Sequence, residues 1–427
     1  MIPNFRLNPP IKQAFASFHL PPADEIKLAN QLPCLVVNTG TQEIARLELI
    51  FPIHVTEKTE VIGIVAKTLF AGTQKSTSKT LLDRLESLGA FHEVTSTSDR
   101  LSITIFVLSR MLNAVLPILE EVLTCAVFPE EEIEIQKRNT VQNIRLNAEK
   151  TSLVASQTFR KVLFGASSPL GRVSSEEDVT QIAQQDCVQF YHENIKVRAF
   201  QICLAGKFSD VQLDEFSRSI GAWRVDNTYT GLISPFSAFS QDRNSIVVPK
   251  EGAMQASIRV GRPLFNRKNP DYFPFLVMNT ALGGYFGSRL MKNIREEKGL
   301  TYGISSSLVP SESFGYWVLG ADVKVDLIQV VMEEIYLEIQ KMQEVLMSEE
   351  ELETVKNYMI GSFIGSLNTA FDIADKHKTI LFNQLPDHYY HEYLSNIQRV
   401  TSLDIQEIAC KYLTKESLFE VIVGSAG

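Results

Sequence analysis

The sequence holds 427 residues, 44% hydrophobic and 21% charged, with 41 basic against 50 acidic side chains and a formal net charge of −9. A chain of this length exceeds one small core and fits two domains of roughly 200 residues each. The acidic balance argues against nucleic acid as a partner, and no apolar run reaches the about 18 residues expected of a membrane-spanning helix.

Met1-Ile2-Pro3-Asn4-Phe5-Arg6 has no basic stretch followed by an apolar core, so it does not read as a secretion signal. The cytoplasm is therefore the expected compartment. The five cysteines, Cys34, Cys125, Cys187, Cys203 and Cys410, form no close pair. That spacing suits free or buried thiols in a reducing compartment better than a disulfide framework or a zinc cluster.

An apolar run over 61–68 predicts a helix, followed by Leu69-Phe70-Ala71-Gly72-Thr73. Ser76-Thr77 then opens a second helix that ends at Leu88-Gly89-Ala90. The alternating, β-branched stretch 101–108 predicts a strand, and 112–123 an amphipathic helix. Pro129-Glu130-Glu131-Glu132 is a helix start, with acidic residues where the helix dipole favours them. The helical run it opens reaches Leu163-Phe164. Cys187 stands five residues from His192 in a further amphipathic helix, where an inert buried thiol is expected. A strand follows at 200–204.

The stretch 227–245 is rich in Ser, Thr, Gly and Pro and predicts a linker between domains 1–226 and 246–427. Strands resume at 246–248 and 256–260. The first half is then echoed. Ser348-Glu349-Glu350-Glu351-Leu352-Glu353-Thr354-Val355-Lys356 repeats the pattern of Pro129 to Lys137. It too is preceded by a strand (316–320) and a helix (327–345). Both halves close with helix and strand, the second at 418–423. The elements mix without regular β-α-β alternation, so the expected class is α+β, in two homologous halves.

Leu282-Gly283-Gly284-Tyr285-Phe286-Gly287-Ser288-Arg289-Leu290 runs into Ile294-Arg295-Glu296-Glu297-Lys298-Gly299-Leu300-Thr301-Tyr302-Gly303. With the frame around Leu69 to Thr73, this passage resembles the M16 family of pitrilysin-type, inverted-motif zinc peptidases. The likeness covers nearly the whole chain as two family halves, each a mixed, antiparallel-rich sheet packed with helices. In the family a His-x-x-Glu-His helix stands directly before the Leu-Phe and Gly-Thr. Laying Leu69-Phe70 on that pattern puts Gly63 and Lys67 at the histidines and Ala66 at the glutamate. A third ligand, a downstream glutamate, falls on Asn143. Zinc needs imidazole, thiolate or carboxylate donors, and hydrolysis needs a carboxylate base. Gly and Ala offer neither, Lys67 is a cation, and Asn143 is a poor donor. The resemblance therefore implies a chain without metal or peptidase activity of its own.

The family's Arg/Tyr pair falls on Arg295 and Tyr302. In the family it reaches to a zinc site built by another half-molecule and contacts the substrate backbone. A guanidinium and a phenol are fixed donors suited to an oxyanion. The implied role is that of a non-catalytic subunit of a heteromeric M16 zinc peptidase. A sister chain would carry the intact His-x-x-Glu-His and the zinc, and an extended peptide would add a strand to a sheet edge. The alternative is a scaffold, or a peptide-binding homodimer, with no peptidase role. His388-x-x-His391-Glu392 has metal-like spacing but reads as a polar helix start. Gly283-Gly284 lacks the ending of a phosphate loop.

Overall fold

A computed structural model of the chain describes residues 18–53, 59–97, 99–226, 245–312 and 314–424. The N-terminal segment inspected for a secretion signal and, apart from Ser245, the expected linker lie outside the described residues. The strands of the first half are β1 (Asp24–Lys27), β2 (Pro33–Asn38), β3 (Ile44–Pro52), β4 (Phe91–Ser96), β5 (Arg100–Leu108) and β6 (Gln201–Gly206). Their order is β1-β2-β6-β3-β5-β4, with β2 and β6 parallel and the other pairs antiparallel. In β5, Leu101, Ile103, Ile105 and Val107 are buried and their neighbours are not, the period-two pattern of a strand with one covered face.

The second half supplies β7 (Ser245–Val248), β8 (Gln255–Leu264), β9 (Thr301–Pro310), β10 (Gly315–Lys324) and β11 (Phe419–Val423), in the order β7-β11-β8-β10-β9. Here β7 and β11 are parallel and the rest antiparallel. Apart from β1 the two sheets have the same topology. Each ends in a hairpin whose outer strand, β4 or β9, has no neighbour on its far side among the described residues. The α+β class and the two-half organisation are as the sequence implied.

The long helical run of each half is broken once. The first stops at Ala148 and restarts at Thr151, and the second stops at Gly365 and restarts at Ala370 behind a Thr369–Asp372 capping box. The breaks let the later helix of each half leave its own sheet. Helix Thr151–Phe164 packs Ala155, Phe159, Val162 and Leu163 on Phe419, Val421 and Val423 of the second sheet. Helix Ala370–Phe382 packs Ile373, Ala374 and Ile380 on Leu35, Val37, Cys203 and Ala205 of the first. Gly261 in β8 is part of this fit, since a Cβ there would lie 2.0 Å from Trp317 O and 2.8 Å from Phe159 Cζ.

The exchange carries charge as well as apolar surface. Arg46 of β3 donates to Asp375 at 2.7 and 3.2 Å, and Lys378 pairs with Glu48 of β3 and with Asp375. Arg46 and Glu48 are buried. Removing one partner of a buried pair leaves an uncompensated charge. Lys378→Met is therefore expected to cost about 3 kcal/mol, read as a lower urea midpoint at unchanged slope. Burial raises the Asp375 carboxyl, but hydrogen bonds and charge from Arg46 and Lys378 outweigh it and hold it below the usual range. Its stabilising contribution is thus present at neutral pH and is lost as pH falls below the normal aspartate value through the depressed folded one. The same acid titration of Asp375→Asn should lack that component.

Candidate functional site

The helix Thr59–Thr68 packs against helix Glu130–Ala148, helix Gln184–Asn194 and β4. Its start is anchored by the buried Glu60, which accepts hydrogen bonds from Arg172 at 3.0 and 3.2 Å and from Ser174 at 2.9 Å. Past its end, the Gly-Thr turn is fixed by Thr73, whose hydroxyl donates to Glu121 and accepts from the backbone N–H of Lys75 and Ser76. Burial raises Glu121, but hydrogen bonds from Thr73 and Arg84 outweigh it and hold the carboxyl at about 2. The frame of the motif is thus intact and internally satisfied.

The chemistry inside the frame is absent. Gly63 is half-buried, and a Cβ added there would meet nothing within 4 Å. Ala66 is buried and Lys67 is exposed. The Lys67 ammonium donates to Thr140 Oγ1 at 2.9 Å, and that hydroxyl donates to Gln136 O at 2.8 Å. Lys67 therefore ties together the two helices that carry the expected ligand positions. Asn143 lies exposed, three residues beyond Thr140 on the second helix. The four positions lie on two packed helices, and these side chains do not fit a zinc ion. Among the described residues no group of three or more His, Cys, Asp or Glu side chains could hold a metal.

Arg295 and Tyr302 are brought together. Arg295 sits in a wide π-type turn over Met291–Glu297. Gly299 ends that turn at φ +63, a left-handed geometry that glycine adopts without strain. The amides of Gly299 and Leu300 close back on Arg295 O and Ile294 O at 3.2 and 2.9 Å. The chain then enters β9, where Tyr302 is 90% exposed. Arg295 Cζ stands 5.3 Å from the Tyr302 ring centroid and 4.8 Å from that of Phe286, also exposed. It has no carboxylate partner among the described residues. Cation–π contacts at the surface hold about 0.5–1 kcal/mol each, too little to prevent the guanidinium from engaging a ligand. Beside it, Gly283, Gly284, Phe286, Met291 and Ile304 line a groove of about 300 Å³ along β9.

Arg289 of the same motif is a brace. It grips Glu351 through two hydrogen bonds of 2.8 and 2.9 Å and fixes the acidic helix start of the second half. Two side chains that pack on this frame were not legible as such: Thr140, which Lys67 holds, and His92 on β4, whose ring lies 4.4 Å from that of Phe70. Burial pushes His92 below the ordinary histidine value. The available signal was the repeat itself, because His92 follows Gly89 (φ +65) as Tyr302 follows Gly299 (φ +63). His388 precedes the helix Tyr389–Arg399, and His391 packs on His19. Burial and the nearby Asp186 charge push the Cys187 thiol up to about 12, as an inert thiol requires.

Two α+β halves of one topology, with the metal-site frame kept and its donors replaced, define a peptidase-type fold that has lost its own catalytic centre. Residues 61–167 match Insulinase (Peptidase family M16), and residues 181–359 match Peptidase M16 inactive domain. The chain belongs to the M16 family, as a member of the inactive type without His-x-x-Glu-His. It is 22% identical over 346 residues to the uncharacterized zinc protease YmxG of Bacillus subtilis (strain 168), covering 77% of this chain and 83% of that one. It is 23% identical over 365 residues to the non-peptidase homolog YmxG of Helicobacter pylori (strain ATCC 700392 / 26695), covering 81% and 79%. A solved peptidase M16 inactive domain from Pseudomonas fluorescens superposes with a TM-score of 0.79 at 19% identity, covering 95% of this chain and 98% of that one. At that identity the likeness speaks for the fold alone.

Proposed function

We propose that this chain is the non-catalytic subunit of a two-chain M16 zinc peptidase, closing the peptide chamber and presenting Arg295 and Tyr302 to a partner's active site. The observation that carries the reading is the pair itself: a half-buried guanidinium and an exposed phenol ring 5.3 Å apart (Cζ to ring centroid), the guanidinium with no ion-pair partner among the described residues. Arg289 of the same motif, by contrast, pairs with Glu351. The partner's zinc would supply the activated water. From this chain, the Arg295 guanidinium and the Tyr302 hydroxyl would donate to the carbonyl oxygen as it gains charge. The edge of β4, unpaired among the described residues, supports strand addition by an extended peptide on this chain's side of the chamber.

A second reading, a peptide-binding homodimer or scaffold without peptidase work, is favoured by the description of the Helicobacter pylori relative as a non-peptidase homolog. One experiment separates them. Purified alone, the chain should take up no stoichiometric zinc and should leave a quenched fluorescent peptide intact. Co-expressed with an M16 chain carrying an intact His-x-x-Glu-His, it should co-purify and give chelator-sensitive cleavage that neither chain gives alone. Tight zinc at one ion per chain overturns both readings. Full activity from the other chain alone, without co-purification, decides for the second.

A further inference from the structure

The position of Lys67 shows more than a lost ligand. Its ammonium has three donors, of which one is used among the described residues, on Thr140 Oγ1 at 2.9 Å. No carboxylate pairs with it among the described residues, although the chain carries 50 acidic side chains. Gly63, one turn earlier on the same helix face, leaves open space beside it. The helix that carries both packs on β4, and the ring of Phe70, just past its end, lies tilted against that of His92 on that strand. A cation without a carboxylate, an open volume and a strand edge unpaired among the described residues therefore lie on one helix and on the strand that helix packs against.

A metal in such a frame acts on the backbone carbonyl of a bound peptide. A side chain at a ligand position of that frame would accordingly lie beside backbone atoms of a strand laid on the edge rather than the tips of its side chains. The one backbone group with a full negative charge is the terminal carboxylate. We infer that the former metal seat of this chain is a receptor for the C-terminal carboxylate of a peptide lying along β4, with Lys67 as the counter-ion and the space at Gly63 as the room for the terminus. The inference rests on the strand-docking reading of β4 given above. It adds that the docked strand ends at Lys67, so that the ligands are peptides with a free C-terminus, such as products of endopeptidase cleavage.

The test uses the full-length chain and fluorescence anisotropy with fluorescein-labelled random dodecapeptide mixtures, one set ending in a free acid and the other in an amide. The acid set should bind about tenfold more tightly, the scale of one charge-assisted contact. Lys67→Met should erase the difference while leaving amide binding in place, and Lys67→Arg should keep it. Lys67 is exposed, so its replacement leaves the core untouched. Equal binding of both sets overturns the carboxylate assignment and leaves strand docking standing. A preference for the acid that survives Lys67→Met also overturns it, because the carboxylate is then read elsewhere. Amidated peptides with Asp at the penultimate position that match the acid set overturn the assignment to the terminus. Failure of both sets to bind removes the strand-docking reading, and this inference with it.

Discussion

Arg295→Ala in an assembled two-chain enzyme is expected to lower kcat by about 10²–10³-fold, the usual cost of removing one preorganised oxyanion donor. Arg295 is held at its ring contacts to Phe286 and Tyr302 and by no ion pair inside the described chain. Truncation should therefore leave the fold and the assembly intact. Tyr302→Phe keeps the ring that supports Arg295 and removes only the hydroxyl, so it should show a smaller fall in kcat with KM little changed. Steady-state kinetics on complexes whose stoichiometry is checked by size-exclusion chromatography gives the answer. If neither variant changes turnover in a verified complex, the pair has no part in the chemistry.

The second large effect concerns folding. Fragments 18–226 and 245–424, produced separately, are each expected to lack a cooperative unfolding transition, and to recover one when co-expressed. The reason is the reciprocal exchange. Without helix Ala370–Phe382 the first sheet exposes Leu35, Val37, Cys203 and Ala205, and leaves buried Arg46 and Glu48 without Asp375 and Lys378. Without helix Thr151–Phe164 the second sheet exposes Phe419, Val421 and Val423. Apolar surface of that kind drives aggregation, and an unpaired buried charge costs several kcal/mol. Circular dichroism melts on the fragments, separate and co-purified, measure it. A single fragment with its own sharp transition would show that the shared layers are dispensable.

The exchange explains where local reasoning stops. Both broken helical runs were visible as helices, since period-3.6 patterning and acidic starts act within a dozen residues. The sheet each run would cover was not visible, because an apolar helix face is equally satisfied by either sheet. The exposed edges were similarly hidden. Nothing in Phe91 to Ser96 or in Thr301 to Pro310 states that β4 and β9 stand last in their sheets, since strand order depends on pairings made across the whole chain. The wide turn over Met291–Glu297 was also beyond reach, yet it sets the direction in which Arg295 points.

The sequence by itself determined that the chain has two related halves of the M16 type, and that Gly63, Ala66, Lys67 and Asn143 carry no imidazole, thiolate or carboxylate donor. Those conclusions depend on residue chemistry and on motif order, both written locally. Only the tertiary structure decided that Arg295 and Tyr302 meet at the surface, with no ion pair to Arg295 among the described residues, because the left-handed Gly299 turns one element back beside the other. It alone decided that Lys67 holds to Thr140 across a helix pair. Partners 73 residues apart in sequence leave no trace in local pattern; they become neighbours only when the packing of two helices closes the distance.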